Sequence, residues 1–228
     1  MSVLIIYLGK KKHMKLLKRG MILGLICVMA CATSSCKSKK KDYIDLANGE
    51  SGITIKDKEV VYQIKEEFKK DYYSEDDVEK QVKDEIDEFV RLEGKDSAEL
   101  EKFEVEDGSC HVVITFAGID KFCDYVNKCE KPIEDFNIFK GKYGDVDRNT
   151  FGDGENLIDA KIATKADFED DVPVDSKITA VDSDSKVLVL NKALKIKTDD
   201  EISAVSMGVV VKDNIAATNE DMCYVVYK

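Results

Sequence analysis

Between Gly52 and Val126 the apolar residues switch repeatedly between a period of two and a period of 3.6, and this restricts the fold more than any other feature of the chain. Residues 52–56 and 60–68 flank the turn Asp57-Lys58. Val60, Tyr62 and Ile64 alternate with Val61, Gln63 and Lys65, which predicts a half-buried strand. Ser74 then stands as a helix N-cap with Asp77 at the third helical position, where a capping box places an acid or amide. Val78, Val82, Ile86 and Phe89 fall on one helical face, with Glu75, Lys80, Lys83 and Glu88 off it, and Gly94 ends the helix. Phe103 and Val105 open a second hairpin around Asp107-Gly108, a strong two-residue turn signal. Cys110, Val112, Ile114 and Phe116 point to one face of its return strand. After Gly118, Ile119, Phe122, Cys123 and Val126 are spaced for a second helix, and Pro132 lies just beyond its end. The expected fold class is α+β: an antiparallel sheet with two helices on one face, followed by a smaller β-rich region.

The β-rich region is read from residue 186 onward. Val187–Leu190, Leu194–Lys197, Ile202–Ser206, Val209–Val211 and Cys223–Tyr227 read as short strands, with turns at Asp199-Asp200 and Asp213-Asn214. Residues 141–185 hold twelve acids and four glycines and read as an acidic, loop-rich connection. A second small β domain and an extension of the first sheet both fit the C-terminal pattern. The organisation expected is a signal segment over 1–35, a polar tether over 36–50, an α+β domain over 51–140, the connection over 141–185, and the β-rich region over 186–228.

The N-terminus is read apart from the fold. Met14-Lys-Leu-Leu-Lys-Arg19 is basic, and Met21–Ala30 is an apolar run of about ten residues, half of what spans a bilayer. Small residues and cysteine follow, in the order of a secretory signal with its processing site. Residues 1–13 read as an upstream extension, with Met14 a second candidate start. The cysteines sit where cleavage is expected, and the segment resembles the lipobox of bacterial lipoproteins. Cys31 follows Val28-Met29-Ala30, with an aliphatic residue three positions before it; Cys36 follows Thr33-Ser34-Ser35. Either is the expected site of fatty acylation (palmitate in kind). Lys37–Lys41 then forms a basic tether suited to anionic lipid.

Of 228 residues, 35 are Lys or Arg and 46 are Asp or Glu, for a net charge of −11. Six of the bases lie in the first 35 residues, so the remainder carries a net charge of −17. A body this acidic lacks the basic face of a nucleic-acid binder. A hydrophobic content of 43% excludes wholesale disorder.

Seven cysteines occur, at 27, 31, 36, 110, 123, 129 and 223, with no C-x-x-C. Lipidation of Cys36 leaves four outside the signal, an even number, which favours that site. Cys123 and Cys129 lie about 9 Å apart along a helix, too far for a disulfide unless the helix ends early. Buried, unpaired thiols are the other reading.

The stretch EEFKKDYYSEDDVEKQVKDEIDEF at 66–89, followed by FEVEDGSCHVVITFAGIDKF at 103–122, resembles a group of uncharacterised lipoproteins from anaerobic Gram-positive bacteria. The Phe-Lys-Lys-Asp-Tyr-Tyr run before the helix and the closing Tyr-Val-Val-Tyr-Lys carry the resemblance. It implies surface anchoring and no activity or site residue.

Chemistry-bearing motifs are sparse. Outside the leader His111 is the sole histidine. It adjoins Cys110, but successive strand residues face opposite ways, so the two do not form a dyad and His111 is expected to face solvent. No phosphate loop is present, because Gly152-Asp-Gly154 lacks a third glycine and a following Lys-Ser/Thr. No catalytic residue and no cofactor-binding residue is assigned. Asp145, Asp147, Asn149, Asp153 and Glu155 place oxygen atoms at alternate positions, as a calcium loop does, although Thr150 replaces the loop glycine and Arg148 stands among the ligands. Asp167, Glu169, Asp170 and Asp171 read as a solvated turn. Tyr72-Tyr73 reads as a hydrophobic staple, or as an exposed binding element. These features favour a non-enzymatic, lipid-anchored surface module that binds a surface protein or envelope polymer. A calcium-stabilised surface module ranks second and a carboxylate-based hydrolase third.

Overall fold

A computed structural model of the chain describes residues 43–69, 74–130, 135–154, 156–164 and 181–228. The first hairpin is β1 (Glu50–Ile55) and β2 (Val60–Glu67); helix α1 (Glu75–Glu93) follows. The second hairpin is β3 (Ala98–Glu106) and β4 (Ser109–Phe116), turning through Asp107 and Gly108 at positive φ. Helix α2 (Ile119–Tyr125) runs on into a π-helical turn over Val126–Glu130. Next come β5 (Ile138–Lys142), a one-turn helix α3 (Arg148–Phe151) and β6 (Leu157–Asp159). The C-terminal strands are β7 (Lys186–Leu190), β8 (Lys195–Thr198), β9 (Ile202–Ser206), β10 (Val210–Lys212), β11 (Ile215–Ala217) and β12 (Cys223–Tyr227).

The fold is α+β, built on two sheets. The larger has seven strands in the order β10-β11-β8-β1-β2-β4-β3; the smaller has five, in the order β5-β7-β12-β9-β6. Every pairing is antiparallel except β1 with β8. The C-terminal strands divide between the sheets, with β8, β10 and β11 extending the first and β7, β9 and β12 joining β5 and β6 in the second.

Alternation decides what each face buries. Ile53, Tyr62, Ile64, Val112, Ile114 and Phe116 of the larger sheet share one core with Leu188, Leu190, Val205, Val225 and Tyr227 of the smaller. Helix residues Val78, Val82, Ile86, Phe89, Phe122, Tyr125 and Val126 complete that core, so both helices cover the same sheet face. Its centre is aromatic. Phe89, Phe116, Phe122 and Tyr125 meet edge-on or tilted with ring centroids 5.1–6.0 Å apart. A second cluster on the smaller sheet's outer face joins Val187, Val189, Ala204, Tyr224 and Val226 to Val146 and Leu157.

Local details differ from the sequence reading for physical reasons. Ser74 caps α1 through its carbonyl alone: Val78 N donates to it, and the Ser74 side chain makes no cap bond. The capping box is therefore not formed. The helix through Cys123 and Cys129 does not end early but widens into the π turn, and Cys110, Cys123, Cys129 and Cys223 are all free thiols. Without pairing, cysteine parity no longer favours Cys36 over Cys31. Within 43–49, read as tether, two residues pack onto the outer face of the larger sheet: Ile44 and Leu46 are each 4% exposed.

Candidate functional site

Burial sorts the candidate residues. Cys110 faces the core, where burial pushes its thiol up to about 12. His111, its neighbour on β4, faces the opposite side of the sheet, as the strand period requires. The Cys-His pair is therefore divided by the sheet. His111 is only half exposed, because Tyr43 lies against it with ring centroids 6.1 Å apart.

Tyr43 begins a strap, Tyr43–Asn48, that crosses the outer face. A buried amide holds it. Gln63, fully buried on β2, accepts from Ile44 N at 3.0 Å through Oε1 and donates to Ile44 O at 3.2 Å through Nε2. Tyr43 OH donates to Glu101 at 2.5 Å, Thr115 donates to the same carboxylate at 2.9 Å, and Lys195 Nζ donates to Asp45 O at 3.2 Å. Gly52 makes room: a Cβ there would lie 2.8 Å from Lys195 O and 3.1 Å from Ile44 Cδ1.

The acidic loop expected to hold calcium is organised around its own cation. Arg148 donates to the carbonyls of Tyr143 and Asp153 at 3.0 Å each and to Tyr224 OH at 3.2 Å. Its guanidinium carbon lies 4.4 Å from the centroid of the Tyr143 ring and 5.7 Å from that of Tyr224. Asp147 caps α3, accepting from Asn149 N and Thr150 Oγ1. Asp145, Asn149 and Asp153 are exposed. Glu155 lies outside the described residues, as do Cys31, Cys36, Tyr72-Tyr73 and the cluster at 167–171. Among the described residues no three His, Cys, Asp or Glu side chains converge to hold a metal ion.

The interior holds a polar joint at Glu130 that the sequence did not flag. Glu130, at the end of the π turn, accepts from Tyr62 OH at 2.6 Å and pairs with Lys192 Nζ at 2.9 Å. It ties β2, the π turn and the β7–β8 turn together. Burial, with Glu130 beside it, drives the Tyr62 hydroxyl well above its ordinary range.

A groove of about 680 Å3 lies between α1 and edge strand β3. Ile86, Val90, Ala98 and Leu100 give it an apolar lining, and Lys58, Glu59, Lys83, Asp87, Lys95, Asp96 and Glu99 supply charges of both signs. A catalytic carboxyl acid needs a raised pKa. Several carboxyls elsewhere on the surface are held low instead: Glu93 at about 2 by Lys121 and Lys128, Glu104 by Lys102, Asp147 by the Thr150 hydroxyl and Asp184 by Lys142.

No protein family, curated protein or solved structure matches the chain.

One of these features is partly visible in the sequence: Arg148 stands out as the base within an acidic loop. Gln63 falls on the side of β2 that alternation reads as open, and the strap buries that side as well. Glu130 carried no signal, because its partners lie 68 and 62 residues away.

Proposed function

We propose that the chain is a lipid-anchored protein on the extracytoplasmic side of a cell membrane. Its folded part is a non-enzymatic module that binds a surface protein or an envelope polymer. The observation that carries this reading is the N-terminal order of basic start, ten-residue apolar run, small residues and cysteine over Met14–Cys36. The body's acidic balance supports a partner other than nucleic acid. Further support comes from the separation of Cys110 from His111 and from the groove beside β3, whose apolar floor and charged rim suit an extended partner.

Peptide mass spectrometry of membrane-fraction protein tests the anchor. The expected result is a fatty-acylated Cys31 or Cys36 as the first residue; an unmodified N-terminus near residue 32, or retained Met1 or Met14, overturns it. Cross-linking in envelope membranes tests the module. Reversing the exposed rim charges at Asp87 and Glu99 to lysine is expected to cut capture of the partner at least fivefold. Undiminished capture by the folded variant rules the groove out.

A further inference from the structure

The grip of Gln63 on the strap extends to a titratable group. One hydrogen of Gln63 Nε2 goes to Ile44 O, and Nε2 also lies 3.5 Å from His111 Nε2. With Oε1 accepting from Ile44 N, the amide orientation is set and Nε2 is a donor. The contact to His111 is then a hydrogen bond only when the ring nitrogen accepts, that is, in the neutral imidazole with its proton on Nδ1. A protonated ring sets donor against donor.

We propose that the strap Tyr43–Asn48 is an acid-released latch, in which protonation of His111 loosens Gln63 and frees the strap from the outer face of the larger sheet. The surroundings of His111 favour this direction. In register it lies between Lys65 on β2 and Glu104 on β3. Lys102 and Glu106 share that outer side of β3, Asp107 and Ser109 border the small cleft beside it, and Tyr43 and Glu101 close the strap side. Burial, then Lys102, lowers the ring's affinity for a proton, and Lys65 adds to this against the opposing pull of Glu104. Because the folded ring is harder to protonate than the free one, its contribution is complete above pH 6.5 and is lost as pH falls through the depressed range. The strap continues directly from the basic segment 37–41 that precedes it, so release lengthens the link between the folded body and whatever holds the N-terminus.

Amide hydrogen exchange on the full chain at pH 7.5 and pH 5, expressed as protection relative to intrinsic exchange, reads the latch. Acid is expected to cut protection of peptides spanning 43–48 about fivefold, the scale of one lost hydrogen bond, with peptides from β7 unchanged. Equal strap protection at the two pH values overturns the proposal. The variant His111→Gln keeps a partner for Gln63 at every pH and is expected to abolish the response; a response that persists in this variant overturns the assignment to His111. A measurement on the unaltered protein guards against a misfolded variant. By NMR, the Ile44 amide and the His111 ring are expected to titrate with one midpoint, and separate midpoints reject the coupling.

Discussion

The larger sheet closes its outer face with a neutral amide, Gln63 gripping the Tyr43–Asn48 strap, whereas the smaller closes its own with a cation, Arg148 set against Tyr143 and Tyr224. Both devices solve the same problem. A sheet with one face in the core leaves apolar residues such as Val61 and Val113, or Val187 and Val189, on the other, and irregular chain must cover them. The solutions differ in what they answer to. Arg148 bonds to main-chain carbonyls and a tyrosine hydroxyl, none of which titrates near neutrality. Gln63 touches His111, whose ring titrates on the acid side of its ordinary 6.5. One cover is therefore built to stay, and the other is built where acid reaches it.

The largest effect is expected at the joint beneath both covers. Glu130→Ala strips the partner from Tyr62 and the counter-charge from Lys192, and breaking a buried pair in this way costs about 3–5 kcal/mol. Urea unfolding is expected to show that loss with both covers failing together; a change confined to one cover refutes a shared interior. Gln63→Ala orphans the N–H and carbonyl of Ile44 and is expected to cost about 2–3 kcal/mol, with exchange rising in 43–48 and not in 141–154. Arg148→Ala reverses that pattern: about 1–2 kcal/mol from the lost ring and carbonyl contacts, with exchange rising in 141–154 alone and equally at pH 5 and pH 7.5. Tyr43→Phe is the mildest, at about 1 kcal/mol. Burial, then Glu101, raises the Tyr43 hydroxyl from 10.0 to about 12, so its contribution is present below pH 10 and lost as pH climbs through about 12. Ultraviolet titration of the variant is expected to lose one late-ionising phenol.

Most strands read from alternation lie within a residue or two of the observed ones, but β3 begins at Ala98, five residues before the Phe103 that opens it in the sequence reading; both helices start where expected. Val60–Glu67, Ile202–Ser206 and Cys223–Tyr227 were legible because side-chain period is a local property of the chain. The turns at Asp107-Gly108 and Asp213-Asn214 were legible because few residues tolerate positive φ. β11 escaped because Ile215-Ala-Ala217 is too short and too uniformly apolar to alternate. Helix α3 escapes for a related reason: four residues carry no helical period, and Asp147 reads in the sequence as an ion-loop ligand rather than as a helix cap.

By itself, then, the sequence determined the α+β class, the two hairpins and the faces of both helices, because period and turn chemistry are written over a few neighbouring residues. Only the tertiary structure decided that β8 lies parallel to β1, that the C-terminal strands split between two sheets, that 43–48 packs rather than tethers, and that Glu130, Gln63 and Arg148 find their partners. Those choices rest on contacts such as Tyr62 to Glu130, 68 residues apart, where the energy of burying one group depends on what a distant segment brings to it.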